Sequence, residues 1–202
     1  MTPVTIVVSR AVPLIHDNID TDAIIPSREM KGTGKTGLAD GLFAGWRYTA
    51  IGGRTPVPDF ALNDPAFAGA QILLAGANVG CGSSREHAVW ALAEYGFSVV
   101  IAPSFNPIFR GNCVRNGIVP VELNPVALQA ARATITVDLP TQTVSAPGGL
   151  FPFAIEAEAK AMLIGGLDGI ALTLQRAEAI AAFRTADRHA RGWAYLGDIT
   201  TA

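Results

Sequence analysis

Residues 72–101 read ILLAGANVGCGSSREHAVWALAEYGFSVVI, and this stretch decides the fold. Ile72, Leu73 and Leu74 form a short, wholly apolar run of the kind that makes a strand buried on both faces. Residues 76–82 are glycine-rich and predict a tight loop, and residues 84–95 predict a helix that Gly96 ends. Val99, Val100 and Ile101 then supply a second apolar strand. Strand, loop, helix and strand in that order spell a right-handed βαβ unit with parallel strands, and such a sheet requires cover on both faces.

Outward from this unit the pattern stays that of an α/β protein. Downstream, a short helix around residues 107–112, a strand over 118–123 and a helix over 125–133 with proline at its first position continue the layering. Val137, Val144 and the alternating Phe151, Phe153 and Ile155 predict late strands or a hairpin. Helical spacing returns over 156–163, and again from Thr173, where Leu174, Ala177 and Ala181 share a face; the charges at Glu156, Glu158, Lys160, Glu178 and Arg184 read as solvated helix faces. Upstream, residues 4–8 predict a first strand and residues 16–22 an Asp-rich loop. Residues 27–65, dense in glycine, polar residues and proline, predict an exposed loop or arm inserted into one domain spanning 1–202, with a short helix near Leu42.

The bulk composition narrows the function classes. Half of the residues are apolar and 16% are charged, which fits a well-buried globular protein. A formal net charge of -2 with scattered Lys and Arg lacks the basic excess that phosphate neutralisation demands, so no nucleic-acid partner is expected. Residues 1–8 carry no positive leader region, and their apolar run is too short for a membrane span; a cytoplasmic protein with no membrane partner is expected. Cys81 and Cys113 are the only cysteines, without CxxC spacing, so the chain holds neither a disulfide framework nor a self-contained zinc or iron-sulphur site.

The loop Gly80-Cys81-Gly82-Ser83-Ser84-Arg85-Glu86-His87 lies where ligands of open parallel sheets bind. A helix N-terminus offers unpaired amides and the positive end of a dipole, and Arg85 adds a planar donor, so a carboxylate or phosphate ligand is the expected guest. The same string satisfies the capping-box pattern Ser83-x-x-Glu86, which does no more than start a helix, and both readings stand at this level. A dinucleotide loop fits less well, because Arg85 replaces the third glycine, and a Cys81 nucleophile paired with His16, His87 or His189 lacks a recognisable signature. His87 reads as a packing or supporting residue one turn inside the helix. Asp17, Asp20 and Asp22 lack the spacing of an EF-hand; Asp20 or Asp22 is expected to orient the Arg85 guanidinium.

With Gly82-Ser83-Ser84-Arg85-Glu86-His87-Ala88 the chain resembles the swivelling domain of the aconitase superfamily. The likeness extends to Asn18-Ile19-Asp20-Thr21-Asp22-Ala23-Ile24-Ile25-Pro26, to Leu42-Phe43 with Trp46-Arg47, to Val100-Ile101-Ala102-Pro103-Ser104-Phe105 and to Gly166-Leu167-Asp168-Gly169-Ile170-Ala171-Leu172-Thr173-Leu174. These stretches are similar to the small subunits of bacterial 3-isopropylmalate dehydratases and cover nearly the whole chain in order. The resemblance implies a swivelling β/β/α domain, active only with a large subunit that carries a [4Fe-4S] cluster. It implies a hydro-lyase of leucine biosynthesis that interconverts 2-isopropylmalate and 3-isopropylmalate. It also implies Ser83 as catalytic base, with Ser84 and Arg85 binding substrate carboxylate.

The chain departs from the family pattern in one place. Glu29-Met30 stands where relatives carry an aromatic-Leu pair, and Lys35-Thr36-Gly37-Leu38-Ala39 where they carry Arg-Thr-Gly-Phe-Gly. That loop is expected to face the substrate side chain, with Lys35 as a substrate-binding cation. The departure keeps two alternatives open: a paralogous hydro-lyase subunit acting on a methylmalate, dimethylmalate or homoaconitate-type diacid, and a non-catalytic anion-binding module.

Overall fold

The computed structural model describes residues 1–32, 34–128 and 133–195. Its centre is a curled seven-stranded sheet in the order β4-β3-β2-β1-β5-β6-β7. The strands are β1 (Ile6–Leu14), β2 (Ile72–Ala75), β3 (Val99–Ala102), β4 (Val119–Glu122), β5 (Thr134–Asp138), β6 (Thr143–Ala146) and β7 (Gly149–Pro152). β1 is the pivot of the sheet. Its first half, Ile6 to Arg10, pairs antiparallel with β5, and its second half, Ala11 to Leu14, pairs parallel with β2. One strand thus joins a parallel half, β1 to β4, to an antiparallel half, β5 to β7.

The helices are α1 (Thr21–Ile24), α2 (Ala44–Arg47), α3 (His87–Tyr95), α4 (Pro107–Arg115), α5 (Ala157–Gly165), α6 (Gly169–Leu174) and α7 (Ala177–Ala190). Crossovers β2-α3-β3 and β3-α4-β4 step along the sheet in one direction, so α3 and α4 lie on the same face. That face is filled by Leu73, Val100, Val89, Leu92, Phe109 and Cys113. The opposite face, Ile72, Leu74, Val99 and Ile101, is covered by Met162 and Leu163 of α5 together with Val137 and Val144 of the antiparallel strands. β2 and β3 are therefore buried at every residue, as the uninterrupted apolar runs demand.

Local chemistry sets the boundaries. Asn106 caps α4, its Oδ1 accepting from the amides of Ile108 (3.0 Å) and Phe109 (3.4 Å), with Pro107 at the first helical position. α3 ends at Gly96, whose φ of +117° only glycine adopts readily. α6 and α7 contribute no buried residue, and Ile170, Leu174, Phe183 and Trp193 are exposed. No helix among the described residues is long and apolar enough to cross a membrane.

Several expectations need correction. The first strand runs on to Leu14, because Ala11, Val12 and Leu14 are drawn into the two-sided core by β2. The Asp-rich loop contains the single turn α1, capped by Asp20. The helix expected from Ser84 begins at His87, so His87 is its first residue and not one turn inside it. The helix expected over 125–133 is a 3₁₀ turn, Pro125–Leu128, and the following residues 129–132 lie outside the described residues. Finally, residues 27–65 do not simply cross the surface. They hold α2, close to the short helix expected near Leu42, and three 3₁₀ turns, with a fourth beginning at Pro65, and they sink Leu38, Leu42, Phe43, Ala44 and Leu62 into the core beside α3. Hydrophobic residues spaced among glycines and prolines gave no period by which to see this burial.

Candidate active site

The loops following β1 and β2 leave the sheet side by side at the C-terminal ends of parallel strands, and a row of hydrogen bonds fastens one to the other. Asp17 Oδ1 accepts from the Ala77 amide at 2.6 Å, the Asn18 amide donates to Ala77 O at 2.8 Å, and Asn78 Nδ2 donates to Asn18 Oδ1 at 2.8 Å. Further along, the Gly80 amide donates to Ile19 O at 2.7 Å and the Thr21 amide to Cys81 O at 3.0 Å. The buried Thr21 completes the row, its Oγ1 donating to Ser83 O at 3.0 Å.

Two glycines allow the approach. Gly80 has φ +76°, and a Cβ there would fall inside the Phe109 side chain, which is fully buried beneath the loop. Gly82 has φ +86°, so the chain turns left-handed just before Ser83 and delivers Ser83 and Ser84 to solvent. The Arg85 amide closes the turn on Ser83 O at 2.6 Å, which keeps Ser84 and Arg85 out of the helix. Among the described residues, the amides of Gly82, Ser83 and Ser84 meet no acceptor. The loop therefore presents a serine hydroxyl pair and free donors ahead of the α3 N-terminus, an arrangement that attracts an anion.

The Arg85 guanidinium is mostly buried and donates from Nη1 to Asp22 Oδ1 and to Ile25 O, the latter at 3.3 Å. The three carboxylates of the Asp-rich loop thus have three separate uses: Asp17 ties the two loops, Asp20 caps α1 at Ala23 (2.6 Å), and Asp22 meets Arg85. No group of three His, Cys, Asp or Glu residues among the described residues is placed to hold a metal ion. Cys113 is buried in the core, where desolvation pushes its thiol well above the ordinary range, and Cys81 is half-buried in the loop.

The capping box is not formed. Glu86 caps nothing with its side chain; its Oε1 accepts instead from Asn116 Nδ2 at 2.7 Å. His87 tilts against the Trp90 ring, with centroids 4.6 Å apart. Lys35 lies farther along the outer side of α3: its ammonium is 5.3 Å from the Trp90 ring centroid and donates to Asn116 Oδ1 at 3.2 Å. No hydrogen bond among the described residues links it to Ser83, Ser84 or Arg85. The loop that follows is held by Glu94 of α3, whose carboxylate accepts from the amides of Gly37, Leu38 and Ala39. Glu29, expected to alter the surface offered to a substrate side chain, is buried, with Arg54 Nη2 at 2.7 Å and Arg28 Nε at 3.6 Å on its two oxygens. That pairing raises the Arg54 pKa against the lowering effect of its own desolvation. Glu156, read as solvated, receives Arg110 Nη1 on both oxygens at 2.9 and 2.8 Å.

Asn116 and Glu94 had no signal in the sequence, and Thr21 appeared only within the stretch 18–26, because each acts across a tertiary gap.

The aconitase C-terminal domain family matches residues 1–126, and a second family model, described as LeuD_N, matches residues 127–157. The 3-isopropylmalate dehydratase small subunit of Cupriavidus necator is 52% identical over 206 residues, covering 97% of this chain and 99% of that protein. The chain belongs to the 3-isopropylmalate dehydratase small-subunit family. The member from Chloroflexus aurantiacus is 50% identical over 192 residues, covering 91% of this chain and 94% of that protein. A crystal structure of 3-isopropylmalate dehydratase from Methanocaldococcus jannaschii superposes with a TM-score of 0.67 at 26% identity, over 89% of this chain and 99% of that one. Family membership and the curled mixed sheet thus agree with the α/β swivelling domain expected from the motif.

Proposed function

We propose that this chain is the small subunit of a cytoplasmic 3-isopropylmalate dehydratase, a hydro-lyase that interconverts 2-isopropylmalate and 3-isopropylmalate in leucine biosynthesis. The observation that carries the reading is the loop 82–85, where Ser83 and Ser84 stand exposed, their amides without an acceptor among the described residues, beside a guanidinium fixed by Asp22. The names of relatives at about half identity over nearly the full length support it.

In this reading Ser84 and Arg85 bind a substrate carboxylate, and the Ser83 oxygen takes the proton from the carbon that loses it. Departure of the neighbouring hydroxyl as water leaves an alkene diacid, and readdition of water the other way round gives the isomer. A serine alkoxide needs fixed positive potential, which the free amides, the α3 N-terminus and Arg85 supply. Asp22 keeps the guanidinium in one orientation, and the bonds from Thr21 and Arg85 to Ser83 O hold the serine backbone.

An iron-sulphur cluster does not fit the residues of this chain. It has two cysteines, one of them in the core, and no metal-holding group among the described residues. The cluster belongs to the large subunit in this proposal, and the active site is completed where loop 82–85 meets that partner. The test is anaerobic reconstitution with a cluster-bearing large subunit, following alkene absorbance with isopropylmalate beside methylmalate, dimethylmalate and homocitrate-type acids. Turnover of isopropylmalate supports the reading; turnover of another diacid alone would move the chain to a paralogous enzyme.

A further inference from the structure

In a capping box the glutamate carboxylate folds back and accepts from the backbone amide of the serine three residues earlier. Ser83-x-x-Glu86 has the residues to do this, yet the Glu86 carboxylate is drawn to the other side. Asn116 Nδ2 donates to Glu86 Oε1 at 2.7 Å and to Asn112 O at 2.9 Å. Asn116 Oδ1 accepts from Trp90 Nε1 at 3.1 Å and from Lys35 Nζ at 3.2 Å. Both groups on the oxygen are donors only, so the side-chain amide has one orientation, with its nitrogen toward Glu86. Its backbone is equally fixed, as the cap at the end of α4.

The geometry points to Asn116 as a positioning residue that holds Glu86 away from the anion loop, keeping the amides of Ser83 and Ser84 and the Arg85 fork open to a substrate carboxylate. This rests on the reading of loop 82–85 as a diacid site. The physical reason is competition. A carboxylate tethered one residue from Arg85 and three from Ser83 is present at a high effective concentration, and it reaches the same donors that a freely diffusing diacid needs. Left unheld, Glu86 is an internal competitor and a like charge at the mouth of the site. Asn116, supported by Trp90 and Lys35, removes it without burying it.

The experiment compares wild type, N116A, E86A and N116A/E86A, each reconstituted with the large subunit. N116A should raise KM for the diacid about tenfold, the scale of losing one hydrogen bond to a charged group, with kcat within about twofold. E86A should keep a KM near that of wild type. The double variant should return KM to within about twofold of E86A, because the competitor has gone; a double variant as impaired as N116A would overturn the proposal, since a merely structural asparagine is not rescued by deleting Glu86. Should N116A fold poorly, Asn116→Asp sets a carboxylate against Glu86 and must give the same KM defect with the same rescue.

A second readout is independent of turnover. In the isolated chain the Ser83 amide proton should shift downfield in N116A, as it gains the Glu86 carboxylate, and return in N116A/E86A. An unmoved resonance would overturn the role of Asn116. Inactive wild type with a moved resonance would instead fault the functional reading alone.

Discussion

Replacing Glu94 by alanine should loosen the segment 35–39 from α3 and cost measurable stability. The carboxylate accepts from three successive amides, Gly37 at 2.6 Å, Leu38 at 2.5 Å and Ala39 at 2.9 Å. Hydrogen bonds to a charged acceptor contribute about 1.5–3 kcal/mol each, but Glu94 and the amides of Gly37 and Ala39 are open to water. Discounting for that solvation, a total of about 2–3 kcal/mol is expected. For a chain of this size that corresponds to a fall in Tm of about 4–12 °C. Glu94→Gln keeps one acceptor and should lose about half as much. The pH dependence has a definite sign. Burial raises the Glu94 pKa, the three amides lower it, and the net effect is below the ordinary carboxylate value. The folded chain therefore binds this proton less readily than the unfolded one. Its stabilisation is complete above the unfolded value, declines as pH falls through the lowered folded value, and is gone below both. Thermal and urea unfolding of wild type and Glu94→Ala between pH 7 and acid should show the difference between them shrinking. A Tm unchanged at pH 7, or a gap that stays constant into acid, would refute this account of how the segment is held.

Gly80→Ala should destabilise by about 2–5 kcal/mol in urea unfolding, since it combines a left-handed backbone with a Cβ driven into Phe109; a loss under about 1 kcal/mol would mean that the loop is not packed on Phe109 as described. Arg85→Lys in the reconstituted enzyme should raise KM by the equivalent of about 1–3 kcal/mol while subunit association is unchanged, because lysine cannot supply a planar fork; an unaltered KM would remove Arg85 from the substrate site. In the native chain a thiol reagent should modify Cys81 and spare Cys113, whose thiol is buried and held in its protonated form, and mass spectrometry of the tryptic peptides would show labelling at Cys113 if the core opens more readily than the structure indicates.

What the sequence made legible was the part whose period is short. Ile72 to Leu74 and Val99 to Ile101 could only be two-sided strands, and the helix between them followed from its glycine boundaries. The anion loop was visible because Gly, Ser and Arg lie next to one another. Residues 27–65 misled because their buried side chains, Leu38, Phe43 and Leu62, dock against α3 through tertiary contacts such as Glu94 with Leu38, which leave no local pattern. Glu29 showed the same limit. As a letter it was an acid where an aromatic was expected, and only the structure placed Arg54 and Arg28 around it. The start of α3 at His87 shows a related limit: a capping box is a local motif, but the Arg85 amide bonds to Ser83 O and keeps Ser84 and Arg85 out of the helix, and the Glu86 carboxylate accepts from Asn116, thirty residues downstream.

The most direct test of the central claim is proton exchange at the substrate carbon, measured in deuterated solvent with Ser83→Ala reconstituted with the large subunit. The variant should fold, associate and bind diacid as wild type does, yet incorporate almost no deuterium. Wild-type exchange in Ser83→Ala would contradict it, because the proton would then be taken by a group other than this loop.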